Sequence, residues 1–105
     1  MVTVELAVAI PAVVIVLAMV LGGVSLGIDQ VRCVDAARLA ARAVARGDSA
    51  STARATAVRA APNGARVALS SGDKQVTATV GVRRQLGGMG FDVAATSVAD
   101  LEEDP

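Results

Sequence analysis

Charged side chains are missing from one long stretch of this chain and evenly scattered through the rest. Residues 6–28 read LAVAIPAVVIVLAMVLGGVSLGI, 23 positions with no charge and a single hydroxyl, Ser25. At ~1.5 Å rise per residue such a helix is about 34 Å long, enough to cross a hydrocarbon core of roughly 30 Å with some tilt. A cleaved secretory signal has a basic start, an apolar run of about 7–15 residues and a small-x-small cleavage site. Here the first five residues hold no base and the apolar run is longer, so residues 1–28 are expected to form a transmembrane or filament-core helix.

Helical spacing continues beyond the apolar run. Residues 29–46, DQVRCVDAARLAARAVAR, contain neither Pro nor Gly and are rich in good helix formers. Span and stalk therefore read as one continuous helix of ~40 residues. Arg38, Arg42 and Arg46 recur every four residues as a charged ridge, and Asp35 is spaced to pair with Arg38. Beside it Ala37, Ala41 and Ala45 form a small-residue ridge, which Ala36, Ala40, Ala43 and Val44 widen into a face for close packing. The arginine ridge reads first as a solvated face and second as a headgroup or subunit contact.

Gly47 ends this helix, and Asp48 or Ser49 caps a shorter one through SASTARATAVRAA. Pro62, Asn63 and Gly64 then impose a turn. Beyond them the period changes to two: Val67 and Leu69 alternate with small or polar residues, as do Val76, Ala78, Val80 and Val82, which predicts half-buried strands. Ser70, Ser71, Gly72 and Asp73 supply a hairpin turn. A glycine-rich break, GGMG at 87–90, leads into a third strand where Phe91, Val93 and Ala95 share a face and Val98 falls out of phase, the signature of a bulge. The closing LEEDP is acidic and expected to fray. The predicted fold is α+β: a long transmembrane and stalk helix, a short second helix and an antiparallel sheet of about three strands. Its parts are the apolar helix 1–28, the Ala/Arg-rich stalk 29–47 and a small head 48–105.

Composition narrows the chemistry. The chain has no His and one Cys, so Cys/His metal sites, Cys–His nucleophiles and Ser-His-Asp triads cannot be assembled from it. Cys33 has no partner for an intrachain disulfide and reads as a small apolar packing residue. GGMG lacks the lysine of a phosphate loop, and Asp92, Asp100, Glu102 and Glu103 come without pocket-forming aromatics. Formal charge is zero overall, with four bases against four acids in residues 1–48 and six against six in 49–105. Nucleic-acid binding by counterion release needs clustered positive charge that neither half supplies. No enzyme activity, cofactor, metal or small-molecule substrate is expected; the head, with one Phe and a core of Ala, Val and Thr, is marginal alone and suited to packing against other proteins.

Three positions in the span stand out. Glu5 is a carboxylate at the mouth of an apolar helix, where an ionised group costs several kcal/mol unless paired. The α-amine of Met1 lies one turn earlier on the same face and can neutralise it within a chain or between staggered neighbours; alternatively Glu5 merely marks the headgroup zone. Pro11 removes a donor and loosens the helix near Ala7. Gly23 and Gly27 form a G-x-x-x-G pair that lets a second backbone approach. All bases near the span, Arg32, Arg38, Arg42 and Arg46, follow it, which by itself places the head in the cytoplasm, but Asp29, Asp35 and Asp48 are interleaved with them.

Taken in order, T-V-E-L-A-V-A-I-P at 3–11, the uncharged run, and D-A-A-R-L-A-A-R-A-V-A-R-G at 35–47 resemble the TadE-like minor pilins, or pseudopilins, of tight-adherence, Flp-type type IV pilus systems. The likeness covers the first 47 residues; the head carries little family signature. The resemblance implies a basic leader cut by a prepilin peptidase just before Met1, a head outside the cytoplasm, and extraction from the membrane by an assembly platform into a surface pilus. It also implies that Glu5 faces the α-amine of an adjacent subunit. Leu6 stands where the major Flp pilin often has an aromatic, and the greater length favours a minor role. The alternative is an unprocessed single-pass envelope anchor whose head binds another protein.

Overall fold

The computed structural model describes residues 1–101; residues 102–105, most of the acidic tail, lie outside them. Element order is α1 (Val2–Ala45), α2 (Ala50–Ala60), β1 (Arg66–Ser71), β2 (Gln75–Leu86) and β3 (Met89–Asp100). The fold is α+β, and the three strands form one antiparallel sheet in the order β1-β2-β3. Helix α1 runs unbroken for 44 residues with Pro11 inside it, and it gives the molecule its extents of 79 × 19 × 18 Å.

The end of α1 follows from its sequence. Gly47 adopts φ +101°, its N–H donates to Val44 O, and the N–H of Asp48 donates to Ala43 O, both at 3.0 Å. This is a Schellman closure, which asks for a residue free of Cβ strain in the left-handed region. Two residues on, the Ser49 hydroxyl accepts from the N–H of Thr52 at 3.2 Å, so Ser49 rather than Asp48 is the N-cap of α2. The short link folds α2 back onto the C-terminal half of α1.

One face of the sheet closes against these helices. Val76, Ala78, Val80 and Val82 of β2 are buried, and they meet Cys33, Ala36, Ala37, Ala40 and Ala41 of α1 with Ala57 and Ala61. Fully burying a valine is worth roughly 1.5–3 kcal/mol, and in this core the valines of β2 supply the bulk while alanines let the elements approach. Phe91, Val93 and Ala95 share the inward side of β3.

Two details of the strands differ from the sequence reading. β3 pairs residue for residue with β2 from Met89 to Asp100, so no bulge occurs at Val98; that side chain projects from the outer face, opposite Thr77, and is exposed. Its apolar character had pointed inward, but the continuous ladder outweighs one misplaced valine. Ser70 and Ser71 belong to β1, opposite Thr77 and Val76, which moves the first turn to residues 72–74. The second turn is tighter than the motif GGMG indicated: Met89 already pairs with Leu86, leaving Gly87 and Gly88 as a two-residue connection with φ +58° and +81°. Positive φ at both central positions is what a type I′ hairpin requires.

Candidate functional site

Helix α1 divides into a bare half and a covered half. From Val2 to Leu21 no residue is buried or even half-buried, whereas Gly22, Leu26, Asp29, Cys33 and the alanines beyond them lie under the sheet and α2. The 44-residue helix is long and apolar enough to cross a membrane, and its most apolar window is wholly unburied within the chain. Such a surface in water would exceed what soluble monomers tolerate by a wide margin. The candidate functional site is therefore this helix and the junction where the head grips it.

At the start of α1, Met1 and Glu5 are both exposed. The backbone N–H of Glu5 donates to Met1 O at 3.2 Å, and among the described residues the ion pairs are Arg84–Asp29 and Arg46–Asp48. The carboxylate of Glu5 and the α-amine thus share a helix turn without forming a salt bridge. Gly23 and Gly27 have nothing within 4 Å of the position a Cβ would take; the glycine that meets the head is Gly22, 3.5 Å from Leu86 Cδ1. The G-x-x-x-G surface is open to another chain.

On the stalk, Ala37 and Ala41 are completely buried, while Arg38, Arg42 and Arg46 face outward. Asp35 makes no salt bridge with Arg38; Arg46 pairs with Asp48 at 3.3 Å on the open surface. Asp92 and Asp100 stand apart on β3, opposite Arg83 and Gln75 respectively, and Asp100 Oδ1 accepts from Gln75 Nε2 at 3.4 Å. They do not form a carboxylate pair.

The junction holds an ion pair that pattern reading overlooked. Arg84 Nε donates to Asp29 Oδ2 at 2.8 Å and its Nη2 to Oδ1 at 3.4 Å, a two-pronged grip joining α1 to β2 across 55 positions of sequence. The Asp29 side chain is 9% exposed and that of Arg84 35%. The hydrogen bond to Asp29 holds the Arg84 guanidinium above its already high ordinary pKa. A signal existed: Arg84 continues the inward series Val76, Ala78, Val80, Val82, and an arginine on a buried strand face calls for a carboxylate partner. Gln30 adds a second clasp, its Nε2 donating to Ala94 O of β3 at 3.2 Å. Arg84→Gln, which strands the enclosed Asp29 carboxylate, is expected to lower the melting temperature clearly, whereas Arg46→Gln on the open surface is expected to change it little. Thermal unfolding of both variants in detergent checks the order.

Cys33 sits one turn beyond Asp29 and is fully buried. Burial first, and the neighbouring Asp29 charge second, push its thiol pKa up. The folded chain therefore keeps Cys33 protonated where the unfolded chain ionises it. The associated stability is complete below the ordinary thiol pKa and falls away as pH rises through the folded value. At about pH 8 a thiol reagent is expected to label Cys33 far more slowly in the folded protein than after denaturation; equal rates would contradict the enclosed position.

No family model matches the chain, and no solved structure matches it. Among curated proteins it is similar to one named apoptosis inhibitor Rv3655c, from Mycobacterium tuberculosis strain ATCC 25618 / H37Rv, with 42% identity over 98 residues. The alignment covers 93% of this chain and 77% of that protein. Identity at this level over nearly the whole chain means that the protein belongs to the same family as Rv3655c of Mycobacterium tuberculosis.

Proposed function

We propose that the protein is a minor pilin or pseudopilin of a TadE-like, Flp-type pilus system. It is inserted through α1 with its head outside the cytoplasm, then assembled with other pilin subunits by the pilus assembly platform. The observation that carries this reading is the bare half of α1: an apolar helix surface from Val2 to Leu21 without an intrachain neighbour, bearing the single carboxylate Glu5 near its start. A lipid anchor can hold that carboxylate only in the headgroup zone, while a bundle of staggered helices can set it against the α-amine of a neighbour. Prepilin peptidase would act at the bond preceding Met1.

A second reading is a single-pass envelope anchor whose head binds another protein. It is favoured by the name of the relative, which describes inhibition of apoptosis rather than assembly. The N-terminal sequence and intact mass of the protein from membranes and from sheared surface filaments separate the two. Protein in filaments beginning at Met1 after loss of an upstream leader is expected for a pilin. Protein confined to membranes with an uncut leader or a formylated start would leave the anchored module.

A further inference from the structure

The β2–β3 hairpin overlaps the apolar helix instead of stopping above it. Its tip reaches Gly22, where Leu86 Cδ1 comes within 3.5 Å of the Cβ position, while the uncharged run continues to Ile28. The four tip residues Leu86, Gly87, Gly88 and Met89 carry no charged or polar side chain. Met89 is 63% exposed, and Leu21 and Val24 on the adjoining helix are exposed as well. The apolar tip thus lies level with the apolar run of α1, its Met89 open to the surroundings.

Length decides what covers that surface. If the whole tip stayed in water, the helix left for hydrocarbon would be residues 6–21, about 24 Å at ~1.5 Å per residue, short of a core of roughly 30 Å. Extending the span toward the N-terminus instead draws Glu5 into hydrocarbon. Using the residues beside the tip restores the length and brings the tip down to the lipid boundary. Among the charges above it, Asp92 stands opposite Arg83 on the same outer face without pairing with it, and the arginines differ in what holds them. Arg84 is held by Asp29, whereas Arg83 folds toward the tip, its Nη2 2.9 Å from the Cβ position of Gly90, and among the described residues it makes no salt bridge. An arginine with an apolar stem and a free guanidinium just above an apolar tip is placed to meet lipid phosphates.

We propose that the hairpin tip is a second membrane contact: Leu86 and Met89 sit at the headgroup–acyl boundary of the bilayer that α1 crosses, with Arg83 on the phosphates. This rests on reading α1 as membrane-spanning. The tip then fixes how deeply and at what rotation the helix is set, because the head grips α1 rigidly through Asp29–Arg84 and the alanine face.

The test uses the full chain in vesicles of phosphatidylcholine and phosphatidylglycerol, with Cys33→Ala as background. Single cysteines are introduced by Val14→Cys, Met89→Cys and Lys74→Cys, all at exposed positions, and each is coupled to an environment-sensitive fluorophore. Quenching by a lipid spin-labelled near the top of its acyl chain is compared with quenching by aqueous iodide. Label at position 89 is expected to be quenched by the lipid probe roughly threefold more than label at 74, and to be partly shielded from iodide. Label at position 14 reports the span itself. If 14 lies in lipid while 89 behaves like 74, the tip proposal is overturned and the spanning reading stands. If 14 also behaves like 74, the spanning reading fails and the tip proposal with it.

Discussion

Glu5→Ala is expected to leave the chain in the membrane and to deplete it from surface filaments. Insertion depends on the apolar run that follows, and removing a carboxylate from its mouth lengthens that run. Assembly is different. Once a pilin helix leaves lipid for a bundle of helices, an ionised Glu5 must find a counter-charge or pay several kcal/mol. Among the described residues Glu5 forms no salt bridge within the chain. A staggered neighbour can supply the counter-charge. Losing even ~1.4 kcal/mol per subunit contact shifts an equilibrium tenfold, so filament-associated protein is expected to fall by about tenfold or more while the membrane-bound amount is unchanged. Glu5→Gln separates charge from size: it should behave like the alanine variant, and Glu5→Asp should recover part of the incorporation. Filaments containing as much Glu5→Ala protein as wild type would refute the role assigned to Glu5.

The second large effect is expected in the head. Ala40 has no exposed surface and lies in the core shared by α1, α2 and the sheet. Ala40→Leu forces a larger side chain into a contact whose closeness depends on alanine, at a cost of about 1–3 kcal/mol. A domain of this size has total stability of only about 4–11 kcal/mol, reckoned at roughly 0.05–0.15 per residue. With each kcal/mol worth about 4–8 °C in a small domain, the melting temperature is expected to drop by roughly 5–20 °C. Ala55→Leu on the exposed face of α2 is the control, and it should change the midpoint by little. Equal effects at the two positions would mean that the alanine face of α1 is not a tight contact.

Most of the architecture was legible in the residues, because each signal was local. The uncharged run, the helix formers after it, Gly47 with Ser49, and the alternation from Val76 to Val82 each specify an element without reference to distant sequence. Signals that failed were those settled by pairing. Val98 looked like a bulge because its phase was read from one strand, while the ladder with β2 holds it in register on the outer face. Ser70 and Ser71 looked like turn residues, yet their partners Thr77 and Val76 extend the strand through them.

The functional surface divides in the same way. Glu5, Gly23, Gly27 and the arginine ridge were read from spacing, and all of them lie on open helix surface, where a partner from another chain can reach them. Asp29–Arg84 was missed because its members are 55 residues apart. The overlap of the hairpin with the apolar helix was hidden for a related reason. It depends on how far β2 and β3 descend along α1, and strand length alone does not state the level at which a hairpin docks.

The bare half of α1 is either a surface for other subunits or a surface for lipid alone. A photoreactive side chain placed at Val13, exposed and midway along that half, measures which one in living cells that express the whole pilus system. Covalent adducts with the apolar helices of other pilin subunits are expected, reduced by Glu5→Ala and independent of head variants that stay folded. Adducts with lipid only, in cells whose filaments are otherwise intact, would contradict assembly through α1.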